Sequence, residues 1–147
     1  MKTDLNALLA AYMPAFAPNR LDRFNLSAFG GFSRSSVFQP NATVDLSRVK
    51  GVEHPDYQGR SWIELLGAPP NVGSGALKRA RSVLAEAQRN PDYYQSAIKK
   101  NGWSFYQRGQ DIFISEGVHR TVIARFLLAA NGLPTVVRGV GLTQLPG

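Results

Sequence analysis

The chain has 147 residues, 44% of them hydrophobic and 10% aromatic, with no cysteine and a formal net charge of +7. This length and apolar content suit one domain with a buried core and exclude wholesale disorder. The lack of cysteine excludes disulfides and thiolate metal sites, and no apolar run approaches the roughly 20 residues that span a bilayer.

The first predicted element is a helix over Asp4 to Met13, capped by Thr3 and ended by Pro14, with Leu5, Leu8, Leu9 and Tyr12 on one face. That stripe either covers a sheet or docks on a second copy, so a homo-oligomer through this helix is one expectation. The N-terminal run has one lysine and no small-residue cleavage pattern, which predicts no secretory signal and a cytoplasmic setting. Residues 15–19, with Pro18, read as a linker, so 1–19 form an N-terminal helix and linker.

From 20 to 59 Gly, Ser, Asn and Pro recur without a sustained period. Phe24, Leu26, Phe29, Phe32 and Phe38 are interleaved there with Arg20, Arg23 and Arg34. The pattern suits either a single-stranded nucleic-acid platform, with bases on rings and guanidinium groups on phosphates, or the core of short strands. Gly30 and Gly31 predict a turn or a bulge. A strand is predicted over Val44 to Val49, and His54-Pro55 opens a turn. His54, with no partner at metal-site spacing, reads as a surface or loop residue. Ser61 to Leu66 predicts a short helix stopped by Gly67 and the Pro69-Pro70 pair.

Ser74 is the expected cap of a helix running to about Asn90, with Leu77, Ala80, Leu84 and Ala87 as its apolar stripe. Lys78, Arg79 and Arg81 crowd its first turns, where positive charge opposes the macrodipole. They form either a solvated face or a set of cations that a bound anion would relieve, so all three are candidate phosphate-binding residues. Pro91 then restarts a helix that runs to about Lys100 and closes at Asn101-Gly102. The second half also carries the charge: residues 73–147 hold ten Lys and Arg against four Asp and Glu, and residues 1–72 hold seven against six. A basic concentration of this kind attracts polyanions such as DNA.

Residues 103–140 form the best-defined unit, a strand, turn, strand, helix and strand. The strands are Trp103 to Tyr106, Asp111 to Ser115 and one through Thr135-Val136-Val137. The helix has Val122, Ile123, Phe126, Leu127 and Ala130 at helical spacing, Arg125 off that stripe, and a stop at Asn131-Gly132. A crossover of that length predicts parallel strands on either side, with ligands collecting where the first strand ends and the helix begins. There Gly117 permits the reversal, first-turn N–H groups favour an anion, and His119 and Arg120 add cationic side chains. Glu116 supplies a carboxylate that either binds Mg²⁺ or only orients His119.

The run Ser115-Glu116-Gly117-Val118-His119-Arg120, with Ala124 one turn on, resembles the signature of the ParB/sulfiredoxin superfamily. The resemblance implies an α+β fold over 1–147, a single domain with a small mixed sheet flanked by helices. It implies that Gly117, His119 and Arg120 bind the phosphates of a nucleotide, ATP or CTP, and that Glu116 stands near a metal ion or the reacting phosphate. Val118 occupies the place of sulfiredoxin's catalytic cysteine, so sulfinic acid repair is excluded. Fifteen residues follow Gly132, too few for the helix-turn-helix and dimerisation domains of a partition protein, so a full partition clamp is not expected. Three activities stay open. They are a metal-dependent nuclease, with or without nucleotide hydrolysis (an NTPase), with Glu116, His119 and Arg120 as catalytic residues, a nucleotide-dependent DNA-binding module without cleavage, and a small-molecule kinase. The basic second half favours the first two, and no membrane partner is expected.

Overall fold

The computed structural model describes residues 1–29 and 36–146, which form an α+β fold. Its helices are α1 (Leu5–Ala11), α2 (Trp62–Leu66), α3 (Ala80–Arg89) and α4 (Val118–Ala130). Its strands are β1 (Asp22–Arg23), β2 (Val37–Asp45), β3 (Val49–Val52), β4 (Ser104–Arg108), β5 (Asp111–Glu116) and β6 (Val136–Gln144).

The strands make one mixed sheet in the order β1-β3-β5-β4-β6-β2. β3 pairs parallel with β1 and β5, β4 runs antiparallel to β5 and parallel to β6, and β2 is antiparallel to β6. The strands joined by α4 therefore run in opposite directions, against the parallel arrangement that their connecting helix suggested. Occupancy of the sheet sets the neighbour of β6, and its parallel pairing with β4 sets the direction. β5 has β3 on one edge and its hairpin partner β4 on the other, so the chain leaving α4 adds beside β4.

α4 is the centre of the core. Thr121 to Leu128 are all buried in it, and α1, α2 and α3 pack around it. A helix covered on every side belongs inside a protein, and this one has no polar face. Arg125, expected off the apolar stripe, is consequently internal and 8% exposed. Its guanidinium lies 3.8 Å from the ring centroid of Phe16 and 4.5 Å from that of Trp62, and its Nε has no hydrogen-bond partner among the described residues. Phe16 also packs on Phe126 at 4.8 Å, and Ala17 is buried, so the segment expected as a linker is part of the core.

Burial pulls the Arg125 pKa down to about 10, against a smaller opposing pull from Asp45. A buried guanidinium whose Nε meets no acceptor among the described residues is a net cost, and ring stacking returns only about 1–2 kcal/mol of it. Arg125→Met keeps the packing volume and orphans no acceptor. We expect it to raise stability by about 1 kcal/mol in thermal unfolding. A lower melting temperature would mean that stacking outweighs desolvation here.

Other boundaries moved for local reasons. Asp4, not Thr3, caps α1, with its carboxylate accepting the Ala7 N–H at 3.3 Å. The strand expected from Val44 begins at Val37 and breaks after Asp45, whose side chain accepts from the Ser47 N–H at 2.9 Å and caps a 3-10 turn. α3 starts at Ala80 because the amides of Ala76 and Leu77 bond back to the carbonyls of Glu64 and Leu65, which holds that stretch out of helix. Ser74 donates instead to the Asn71 carbonyl at 2.6 Å. The helix predicted from Pro91 is a 3-10 segment ending at Gln95. Beyond it Lys100 is 3% exposed and its Nζ donates to the carbonyls of Ser96, Ile98 and Arg138, which pins an irregular path.

Side chains alternate across the sheet. Phe105, Ile112 and Ile114 face α4, and Tyr106 and Phe113 form a smaller cluster with Phe24 and Leu145 on the other side. Phe24 stacks on Phe113 at 4.3 Å, the core role of the two weighed for it, and Phe38 is 61% exposed. Gly30, Gly31, Phe32 and Arg34 lie outside the described residues. Among the described residues no helix is long and apolar enough to cross a membrane.

Candidate functional site

Gly117 has φ +84° and ψ 37°, the left-handed region, and is the residue from which α4 starts. A Cβ there would lie 2.6 Å from Cδ1 of Trp103, so this position is closed to larger residues twice over. The Trp103 indole N–H donates to Thr121 Oγ1 at 2.8 Å, and that hydroxyl donates to the Gly117 carbonyl at 2.8 Å. No side chain caps α4, and among the described residues the N–H groups of Val118, His119 and Arg120 have no acceptor. Three directed donors and the positive end of a 13-residue helix therefore face outward together.

They open onto a cleft of about 820 Å³. α3 contributes Ser82, Val83 and Glu86, the turn after β3 contributes His54 and Tyr57, and the segment after α3 contributes Tyr93 and Tyr94. Arg79, Arg89 and Arg120 also line it, and none of the three pairs with a carboxylate among the described residues. Three guanidinium groups against the two carboxylates of Glu86 and Glu116 leave the lining net positive, and the unpaired amides suit an anion.

His119 joins the first turn of α4 to the chain entering α3, because its Nε2 accepts the Arg79 backbone N–H at 3.1 Å. Its ring meets Tyr57 edge-on at 5.9 Å. Burial first, then its neighbours Arg79 and His54, hold its pKa below the ordinary histidine value. The unfolded chain thus takes up the proton more readily than the fold. The neutral ring's contribution is complete above about pH 6.5 and is lost as pH falls through that value toward the lower folded pKa. His119→Gln keeps an acceptor near Nε2 but does not titrate. In urea unfolding between about pH 7.5 and 5.5, we expect it to lose less stability than the parent chain does. Equal losses would remove His119 as the source.

Arg120 donates from Nη1 to the Tyr93 hydroxyl at 2.7 Å and from Nη2 to the carbonyls of Asn101 at 2.9 Å and Gly102 at 2.6 Å. Its guanidinium also lies 5.1 Å from the Trp103 ring centroid. These partners are all neutral, so Arg120 braces the segment from 93 to 102 and keeps its charge uncompensated. Glu116 is exposed at the end of β5, between this cleft and a shallow depression beside Phe38 and Thr143 on the other sheet face.

The three cations expected at the start of the middle helix separate. Arg79 reaches the cleft. Lys78 pairs with Asp56 at 3.0 Å beside a neighbouring depression, an ion pair that holds the Asp56 carboxyl below its usual range and lifts the lysine. Arg81 does not line the cleft, and its stem lies against Gly73. Of the ten cations in the second half, Lys100 and Arg125 are internal, so the outer surface of that half is less basic than composition implied.

Among the described residues no three His, Asp or Glu side chains cluster in a way that could hold a metal ion. Glu116 alone suits Mg²⁺ only where a ligand's phosphates and water complete the octahedron. His54 was missed as a site residue. The signal for it was faint: a histidine before Pro-Asp reads as a turn cap, and its Nδ1 does accept the Asp56 N–H at 3.2 Å. Nothing in the sequence brings it to the same recess as His119, which depends on β3 lying beside β5.

Comparison with known proteins returns no match to a family model, a curated protein or a solved structure.

Proposed function

We propose that the chain binds the phosphate groups of a nucleotide or of DNA in the cleft at the start of α4, as a binding module. The observation that carries this reading is the meeting of three acceptor-free amides, Val118 to Arg120, with Arg79, Arg89 and Arg120, none of them paired with a carboxylate among the described residues. The resemblance of Glu116-Gly117-Val118-His119-Arg120 to the ParB/sulfiredoxin signature supports the same assignment, and ATP or CTP are the nucleotides it favours. A cytoplasmic setting accords with the absence of cysteine.

Binding is favoured over cleavage because His119 Nε2 is already engaged by a backbone amide and Arg120 by three neutral acceptors. One observation favours a second reading, a metal-dependent nuclease: Glu116 is exposed at the strand end, next to the amides, and pairs with no cation among the described residues. In that case Glu116 holds Mg²⁺ against the bound phosphate, and the ion supplies charge neutralisation.

The test is titration of the full chain with labelled single-stranded and duplex DNA and with ATP and CTP, beside Arg79→Ser, and incubation with supercoiled plasmid in Mg²⁺ or EDTA. We expect salt-sensitive binding that Arg79→Ser weakens about tenfold. No affinity for any phosphate ligand would sink the proposal. Mg²⁺-dependent nicking that Glu116→Gln abolishes would select the nuclease.

A further inference from the structure

We propose that His54 is a second phosphate-binding histidine of this cleft, and that His54 and His119 act there as a pair of neutral N–H donors rather than as acid and base. The inference rests on the phosphate-binding reading above and adds to it a residue and a mode of recognition.

Each ring is fixed by one backbone amide. His54 precedes the 3-10 turn Pro55–Tyr57 and its Nδ1 accepts the Asp56 N–H at 3.2 Å, as His119 Nε2 accepts the Arg79 N–H at 3.1 Å. A neutral imidazole has one lone pair and one N–H. With the lone pair held by an amide, the proton sits on the other nitrogen, Nε2 of His54 and Nδ1 of His119. To act as a base, either ring would have to free that second nitrogen and turn an N–H against the backbone N–H. To act as an acid, it would first have to be protonated, with the same collision.

The two rings share the cleft and flank Tyr57, whose ring centroid is 4.7 Å from that of His54 and 5.9 Å from that of His119. Tyr57 is 3% exposed, so the spacing between the histidines is held by a packed side chain. Together with the α4 amides they set uncharged donors within a rim of arginines. A phosphate group, which only accepts, suits donors of this kind, and this part of its recognition carries no net charge for salt to screen.

The probe is inorganic pyrophosphate, titrated calorimetrically into the full chain at low and high salt. His54→Asn places an acceptor at the Nδ1 position and so keeps the turn cap, but has no group at Nε2. His54→Gln places an amide N–H near Nε2. We expect His54→Asn to weaken binding about five- to tenfold at both salt concentrations and His54→Gln to stay within about threefold, with unchanged melting temperatures. Unaltered affinity in His54→Asn, a His54→Gln variant as weak as His54→Asn, or a deficit that disappears at high salt would each overturn the proposal. A parent chain that gives no binding heat removes the phosphate reading and this inference with it. Binding that Arg79→Ser weakens and His54→Asn leaves intact removes this inference alone.

Discussion

Gly117→Ala is expected to cost about 2–5 kcal/mol of stability and to abolish phosphate binding in whatever folded population remains. The left-handed backbone at this position costs a residue with a Cβ about 1–2 kcal/mol. The larger part is steric. The new methyl would stand 2.6 Å from Cδ1 and 2.9 Å from Cγ of Trp103, a side chain 1% exposed and unable to retreat without giving up its bond to Thr121. Overpacking of a core position costs about 1–3 kcal/mol on its own. Urea unfolding gives the stability change, and Trp103 emission reports the displaced ring. A loss below about 1 kcal/mol would show that the turn relaxes freely and that the α4 amides are not held in place by it.

Lys100→Met should destabilise by about 3 kcal/mol, with a sign opposite to that of the same change at Arg125. Both cations are internal, and burial lowers both pKa values, for Lys100 with added repulsion from Arg138 and Arg120. They differ in what they leave behind. The Lys100 ammonium donates to three carbonyls, at 2.8 Å to Ser96, 3.0 Å to Ile98 and 2.8 Å to Arg138, and a thioether satisfies none of them. Hydrogen bonds to a charged donor are worth about 1.5–3 kcal/mol each, and solvent can recover some of these because Ile98 and Arg138 are on the surface. Calorimetric unfolding of the two variants side by side is the measurement. A stabilised Lys100→Met would mean that desolvation of the ammonium outweighs all three contacts.

Where local signals and tertiary packing agreed, the sequence was legible. The strand into Gly117, the helix after it and the return after Gly132 fall within a residue or two of their predicted places, because periodicity, glycine and stop residues all act locally. Burial of Arg125 was not legible. Its position relative to Phe126 and Leu127 describes a helix with one polar face, and only the packing of three other helices removes that face. The same limit hid the place of β6, which depends on which sheet edge remains vacant, and the proximity of His54 to His119, which depends on a parallel strand pair. Arg79 could be singled out from its charge but not separated from Lys78 and Arg81. Their separation follows from where α3 begins, and that is set by backbone bonds to α2.

The position of β6 in the sheet carries a consequence for how the molecule is made. It is the last strand in the chain among the described residues, yet it lies inside the sheet, between β4 and β2. Val37 of β2 pairs with Gln144, so one of the longest ladders in the sheet joins residues far apart in sequence. During synthesis β2 therefore leaves the ribosome well before β6 and waits, with Ala42 and Val44 uncovered, until β6 has followed. Closure of so long a loop comes late and slowly. An unpaired strand edge with apolar residues is also a place for another chain to add, so the nascent protein is most vulnerable to aggregation in the interval before β6 arrives.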